Sequence, residues 1–185
     1  MNKVVIRKMT FTAMLTAVGL ILGMLSFPIF PQVPFLEYDL CDVAVLIVSF
    51  MFGPLYALAS SLTVSVFQAF ILSKAGAFGF LMNVVSTTAL AIPASIIYNG
   101  FGKNNNVKSK KRAVMSLTVG WAVMNVTMFV FNLVITPAFT GMPVEAVIKN
   151  FLIFIVLFNL IKSSLNSTIT FFVYKHISKI IKKFN

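Results

Sequence analysis

Three polar side chains fall on one face of an otherwise apolar run: Asn159, Lys162 and Asn166, within the stretch from Asn150 to Tyr174. Spacings of three and four residues project them from nearly the same side of a helix. An ammonium in the middle of a bilayer costs ~2.5–3.5 kcal/mol on insertion scales, so such a residue marks a functional site by default. Lys162 is too far from either end of its run to reach water easily by snorkelling. No acidic residue lies within a predicted span, so the buried ammonium needs an acceptor from elsewhere. A ligand carbonyl, ring nitrogen or phosphate would supply one. This face is therefore read as a binding site for a small polar molecule.

Further polar residues interrupt apolar runs. Asn83, Ser86, Thr87 and Thr88 lie near the start of the run Phe80–Tyr98, and Asn125 and Asn132 stand seven apart in Ala113–Ile135. Each must face the bundle interior to find hydrogen-bond partners. Amides that only bridge helices, at ~0.6–2 kcal/mol apiece, are the alternative for any single Asn. Ala13 and Ala17 have the small-xxx-small spacing that lets another helix approach closely in lipid.

The elements that must position these groups follow from composition. With 59% hydrophobic and 10% charged residues and a mean hydropathy of +0.97, the chain has too few charges to cover a soluble globule. It reads as an all-α integral membrane protein, a single transmembrane domain over residues 1–185. The net charge of +11 does not indicate nucleic acid, because the basic residues cluster beside apolar runs rather than along one amphipathic face. A lone Cys41 allows no intramolecular disulfide and no paired metal ligand. Neither H-E-x-x-H, G-x-S-x-G, a Walker-type glycine loop nor paired intramembrane carboxylates occur, so no enzyme activity is expected and ATP must be hydrolysed by partners if it is used.

Apolar stretches run Met9–Phe27, Val43–Phe52, Leu55–Ser73, Phe80–Tyr98, Ala113–Ile135 and Asn150–Tyr174, against a span of ~20 residues. The first follows Lys3, Arg7 and Lys8 but lacks an A-x-A cleavage site, and is read as a mature helix. Gly53-Pro54 divides the second from the third, since one residue permits a bend and the other lacks an amide donor. Six helices put both termini on one side, with the loop Asn99–Arg112. Of the 15 basic residues, Lys3, Arg7, Lys8, Lys103, Lys108, Lys110, Lys111, Arg112, Lys175, Lys179, Lys182 and Lys183 share that side, which the positive-inside bias makes cytoplasmic. Lys74 and Lys149 stay outside, with Glu37, Asp39, Asp42 and Glu145. The first external loop, Pro28–Asp42, carries three prolines and suits an extended, rigid cover. In the second, Lys74–Gly79, Gly76 and Gly79 permit close backbone approach to a ligand or simply a turn. Asn104-Asn105-Asn106 reads as a short polar turn, and Trp121 and His176 as packing or interfacial groups.

The stretch PFLEYDLCDVAVLIVSFMFGPLYAL resembles the loop and second helix of the substrate-binding (S) components of energy-coupling factor (ECF) vitamin transporters, whose pattern is F-L-x-x-D-x-S-D-x-P-x-L-I-x-x-F-x-F-G-P. GAFGFLMNVVSTTALAIPASIIY is similar to that family's third-loop and fourth-helix segment. Ala13–Ala17 matches its A-x-x-x-A coupling motif, and NLIK at Asn159–Lys162 matches the N-x-x-K of riboflavin-specific members. Cys41 replaces the usual Ser and Ala44 the usual Pro. The resemblance implies a vitamin-binding subunit in the bacterial cell membrane that joins a transmembrane coupling subunit and two ABC-type ATPases. It implies riboflavin as bound substrate, with no separate cofactor and no metal. Implied substrate contacts are Leu36, Glu37, Asp39, Gly76, Gly79, Asn83, Asn132, Asn159 and Lys162; Ala13 and Ala17 would dock the coupling subunit. Other readings are an S component for another vitamin such as pyridoxine, a stand-alone secondary carrier, or an assembly factor whose polar face only packs helices.

Overall fold

In lipid a backbone can satisfy its own amides only as a helix or closed barrel, so each long apolar run becomes a helix. The computed structural model describes residues 3–72, 76–100 and 110–181. Within them lie α1 (Lys3–Gly23), α2 (Cys41–Phe52), α3 (Pro54–Phe67), α4 (Gly76–Asn99), α5 (Lys110–Thr140), α6 (Val144–Asn150) and α7 (Leu152–Ile181). Helices α1, α4, α5 and α7 are long and apolar enough to cross a membrane. The shorter α2 and α3 meet at Gly53, whose φ of 98° and ψ of −179° lie in a region essentially reserved for glycine, and Pro54 then opens α3. The break at Gly53-Pro54 is thus where the residues place it.

Every residue of α2 from Cys41 to Phe50 is buried. A helix apolar on all sides belongs inside a bundle. Its 12 residues rise only ~18 Å, short of a bilayer core, so its neighbours must shelter it. At its far end Phe50 stacks on Tyr98 with ring centroids 4.3 Å apart, and the hydroxyls of Tyr98 and Tyr174 bond to each other. This aromatic cluster closes the interior at that end. Helices α4 and α5 share the most extensive helix interface.

Three details depart from the sequence reading. The fifth run extends to Lys110–Thr140. The sixth is divided at Phe151, whose backbone (φ −120°, ψ −20°) ends the short α6 before α7 begins. The loop after α1 is not simply extended: β1 (Phe27–Pro28) pairs antiparallel with β2 (Glu37–Tyr38) in the register Phe27↔Tyr38 and Pro28↔Glu37. The ring of Phe27 meets that of Tyr38 edge-on at 5.7 Å, which holds the turn closed. The purely helical expectation therefore acquires one small hairpin. Lys74, Lys103, Lys108, Lys182, Lys183 and the Asn104-Asn105-Asn106 turn lie outside the described residues, as do the side chains of Lys175, His176 and Lys179.

Candidate ligand-binding site

Beneath the hairpin lies a cavity of about 580 Å³, within the ~300–1,000 Å³ typical of small-molecule sites. Asn159, Phe158 and Lys162 of α7 form one wall, and Asp39, Leu36, Phe35 and Pro34 of the hairpin loop form the cover. Met128 and Phe139 come from α5. Opposite stand Gly79, Met82, Asn83 and Ser86 of α4, with Gln68 and Ala69 at the end of α3. Phe35 is held over the cavity by edge contacts with Phe139 at 5.6 Å and Phe151 at 6.3 Å.

The charged end corrects one expectation. Lys162 does not wait for a ligand acceptor: its Nζ lies 3.2 Å from Asp39 Oδ2 and 3.6 Å from Asp42 Oδ2. All three groups are buried, at 6%, 5% and 1% relative exposure. Both carboxylates reach the interior because the hairpin folds back between the helices and delivers Asp39 just before α2, while Asp42 sits in the first turn of α2, where a helix N-terminus favours negative charge. The rest of their lone pairs are met locally. Asp39 Oδ1 accepts from the backbone N–H of Cys41 at 2.8 Å, and Asp42 accepts from Thr87 at 2.6 Å and Asn166 at 3.2 Å. Tyr38 donates its hydroxyl to Asn166 Oδ1 at 3.0 Å. Burial, with Asp39 beside it, pushes the Tyr38 phenol up, so it remains a donor at neutral pH. The cluster holds one ammonium against two carboxylates inside a low-dielectric wall, and it ties the hairpin to α2, α4 and α7.

The structure brings Leu36, Glu37, Asp39, Gly79, Asn83, Asn159 and Lys162 to the cavity wall. Asn159 donates to the carbonyl of Ile155 at 2.9 Å, which leaves its side-chain oxygen for a ligand. Both hydrogens of Asn83 Nδ2 are committed, to Ser65 Oγ and Gln68 Oε1, so only its oxygen can turn to a ligand. Asn132 is buried but is not part of the wall. It donates to the Met128 carbonyl at 2.7 Å and accepts from Thr136 at 3.1 Å, bonds within its own helix. Gly76 opens α4 away from the wall. Ala13 and Ala17 point outward from the bundle, while Thr12, Thr16, Gly19 and Gly23 face inward on α1.

Several wall residues escape the sequence reading: Gln68, Ser26 and the apolar Phe158, Met82, Met128 and Phe139. Gln68 is the one with a signal, an amide inside the apolar run Leu55–Ser73. The others look like any membrane-packing side chain. The arrangement can hold a flat, partly apolar molecule with a polar edge; among the described residues no group of three or more His, Cys, Asp and Glu side chains could hold a metal ion.

The family model described as "ECF transporter, substrate-specific component" matches residues 7–174. "Riboflavin transporter FmnP" of Bacillus subtilis (strain 168) is 31% identical over 139 residues, or 73% of this chain and 70% of that protein. "Riboflavin transporter RibU" of Staphylococcus aureus (strain TCH60) is 24% identical over 183 residues, covering 96% of this chain and 93% of the other. A solved S component of a bacterial ECF transporter shares the fold with a TM-score of 0.79 at 23% identity, over 95% of this chain and 98% of that one.

Proposed function

The chain belongs to the substrate-specific components of ECF transporters, and we propose that it binds riboflavin at the outer face of a bacterial cell membrane and passes it inward together with a coupling subunit and two ABC-type ATPases. The observation that carries this reading is the two-sided cavity. At one end Lys162, Asp39 and Asn159 present a charged donor, a carboxylate acceptor and an amide oxygen. Around them Phe35, Phe139, Phe158, Met82 and Met128 offer an apolar lining. An isoalloxazine ring has the matching asymmetry, with carbonyls and an N–H on one edge and a dimethylbenzene on the other. The polyol chain requires neutral groups that both donate and accept. The names of the two relatives above point to the same ligand.

The distribution of basic residues supports cytoplasmic termini and an outward-facing hairpin. The match to the substrate-specific components of ECF transporters supports associated ATPases as the energy source. The outward face of Ala13 and Ala17 supplies a small-residue surface on which a coupling subunit could pack. The test is the absorbance spectrum of the purified protein, followed by flavin fluorescence quenching on titration. A yellow preparation and saturable quenching are expected. Colourless protein that quenches no added riboflavin would overturn the reading.

A further inference from the structure

The polar wall opposite Lys162 is neutral and is built around one residue that nothing above assigns. Gln68 caps the C-terminal end of α3 and is the first residue of a π-helical turn, Gln68–Leu72. Such turns are rare and recur at functional sites because they re-aim side chains. Here the turn brings Gln68 to the cavity wall. Its Oε1 accepts a hydrogen bond from Asn83 Nδ2, and Asn83 is itself anchored on Ser65 Oγ at 3.1 Å. That bond fixes which way the Gln68 amide faces. Its Nε2 then points toward the end of α1, where a Cβ added at Gly23 would lie 3.0 Å from it. The absence of a side chain at Gly23 makes room for the amide. Among the described residues Gln68 Nε2 has no acceptor, so its two N–H donors are available at the wall.

Resting on the riboflavin reading, we propose that Gln68 is a specificity-determining residue that donates to the hydroxylated chain of the ligand, with Asn83 as the positioning residue that orients its amide. The physical reason is the division of the cavity. The charged cluster at α7 suits the carbonyl and N–H edge of a ring. At the other end Gln68, Asn83 and Ser86 offer uncharged donors and acceptors matched to alcohols, while Ser26 already donates to the Glu37 carboxylate at 2.7 Å on the hairpin side. A site built to hydrogen-bond a hydroxyl rejects an analogue lacking it, because its own polar groups are then left unpaired.

The experiment compares riboflavin with lumiflavin, which keeps the ring and replaces the polyol chain by a methyl group. Dissociation constants are measured by fluorescence quenching for the wild type, Gln68→Ala, Gln68→Glu and Asn83→Ala. Gln68→Glu keeps an acceptor for Asn83, so it guards against simple loss of folding. Loss of a neutral hydrogen bond predicts roughly three- to tenfold weaker riboflavin binding in both Gln68 variants, with lumiflavin changed by less than about twofold. Asn83→Ala should lower the riboflavin-to-lumiflavin preference in the same direction. Equal losses for both flavins, or no loss of riboflavin affinity, would overturn the assignment while leaving the riboflavin reading in place. A wild type that binds neither flavin would overturn both.

Discussion

Replacing Lys162 with Met should destabilise the folded protein even without ligand. Lys162 Nζ is 3.2 Å from Asp39 and 3.6 Å from Asp42, and at an effective dielectric of ~20 each attraction is about 5 kcal/mol before desolvation. Desolvation cancels much of that in the intact cluster. It does not vanish when the ammonium is removed, because two carboxylates then remain buried within one site. Breaking a buried pair from one side costs ~3–5 kcal/mol. For a chain of this size that lowers the thermal midpoint on the order of 10 °C. The double variant Lys162→Met/Asp39→Asn returns the cluster to its original net charge, since one carboxylate and no ammonium remain. The asparagine oxygen still accepts from Cys41 N–H, and Asp42 keeps Thr87 and Asn166. Much of the lost stability should therefore return. Thermal unfolding of ligand-free protein in detergent, followed by circular dichroism, measures both variants. An unchanged midpoint in Lys162→Met, or a double variant less stable than the single one, would refute the ion-pair argument. Flavin titration of the same proteins separates this folding role from ligand contact.

Two further outcomes follow from the geometry. Ala13→Trp and Ala17→Trp add bulk to the outward face of α1, so riboflavin titration should be normal while uptake falls in cells supplying the coupling subunit and ATPases; joint loss of binding and uptake would place these alanines inside the bundle. Gly53→Ala should cost ~1–3 kcal/mol through its backbone alone, because φ is 98° while nothing lies within 4 Å of the added Cβ; a midpoint equal to wild type in thermal unfolding would show that the α2–α3 junction relaxes freely.

The sequence alone determined the membrane class, the positions of the long helices and the break at Gly53-Pro54, because these depend on local quantities: apolar length, charge clustering and the backbone limits of glycine and proline. It also marked Lys162 and Asn159, since an ammonium or amide in an apolar run is conspicuous wherever the helix packs. The counterions were hidden. The resemblance implies Asp39 as a substrate contact and Asp42 lies among the external acids, yet neither reads as a partner of Lys162, and only folding brings Asp39 across 123 positions to it. The same limit applies to Asn132 and Asn83. A polar residue in a span must find partners, yet whether Asn132 bonds along its own helix or Asn83 bonds to Gln68 depends on neighbours that spacing does not reveal. Gln68 looks like one amide near a helix end until the π turn, Gly23 and Asn83 are seen around it. Tertiary structure decides such roles because hydrogen bonds and ion pairs act over about 3 Å, a distance set by how remote segments pack.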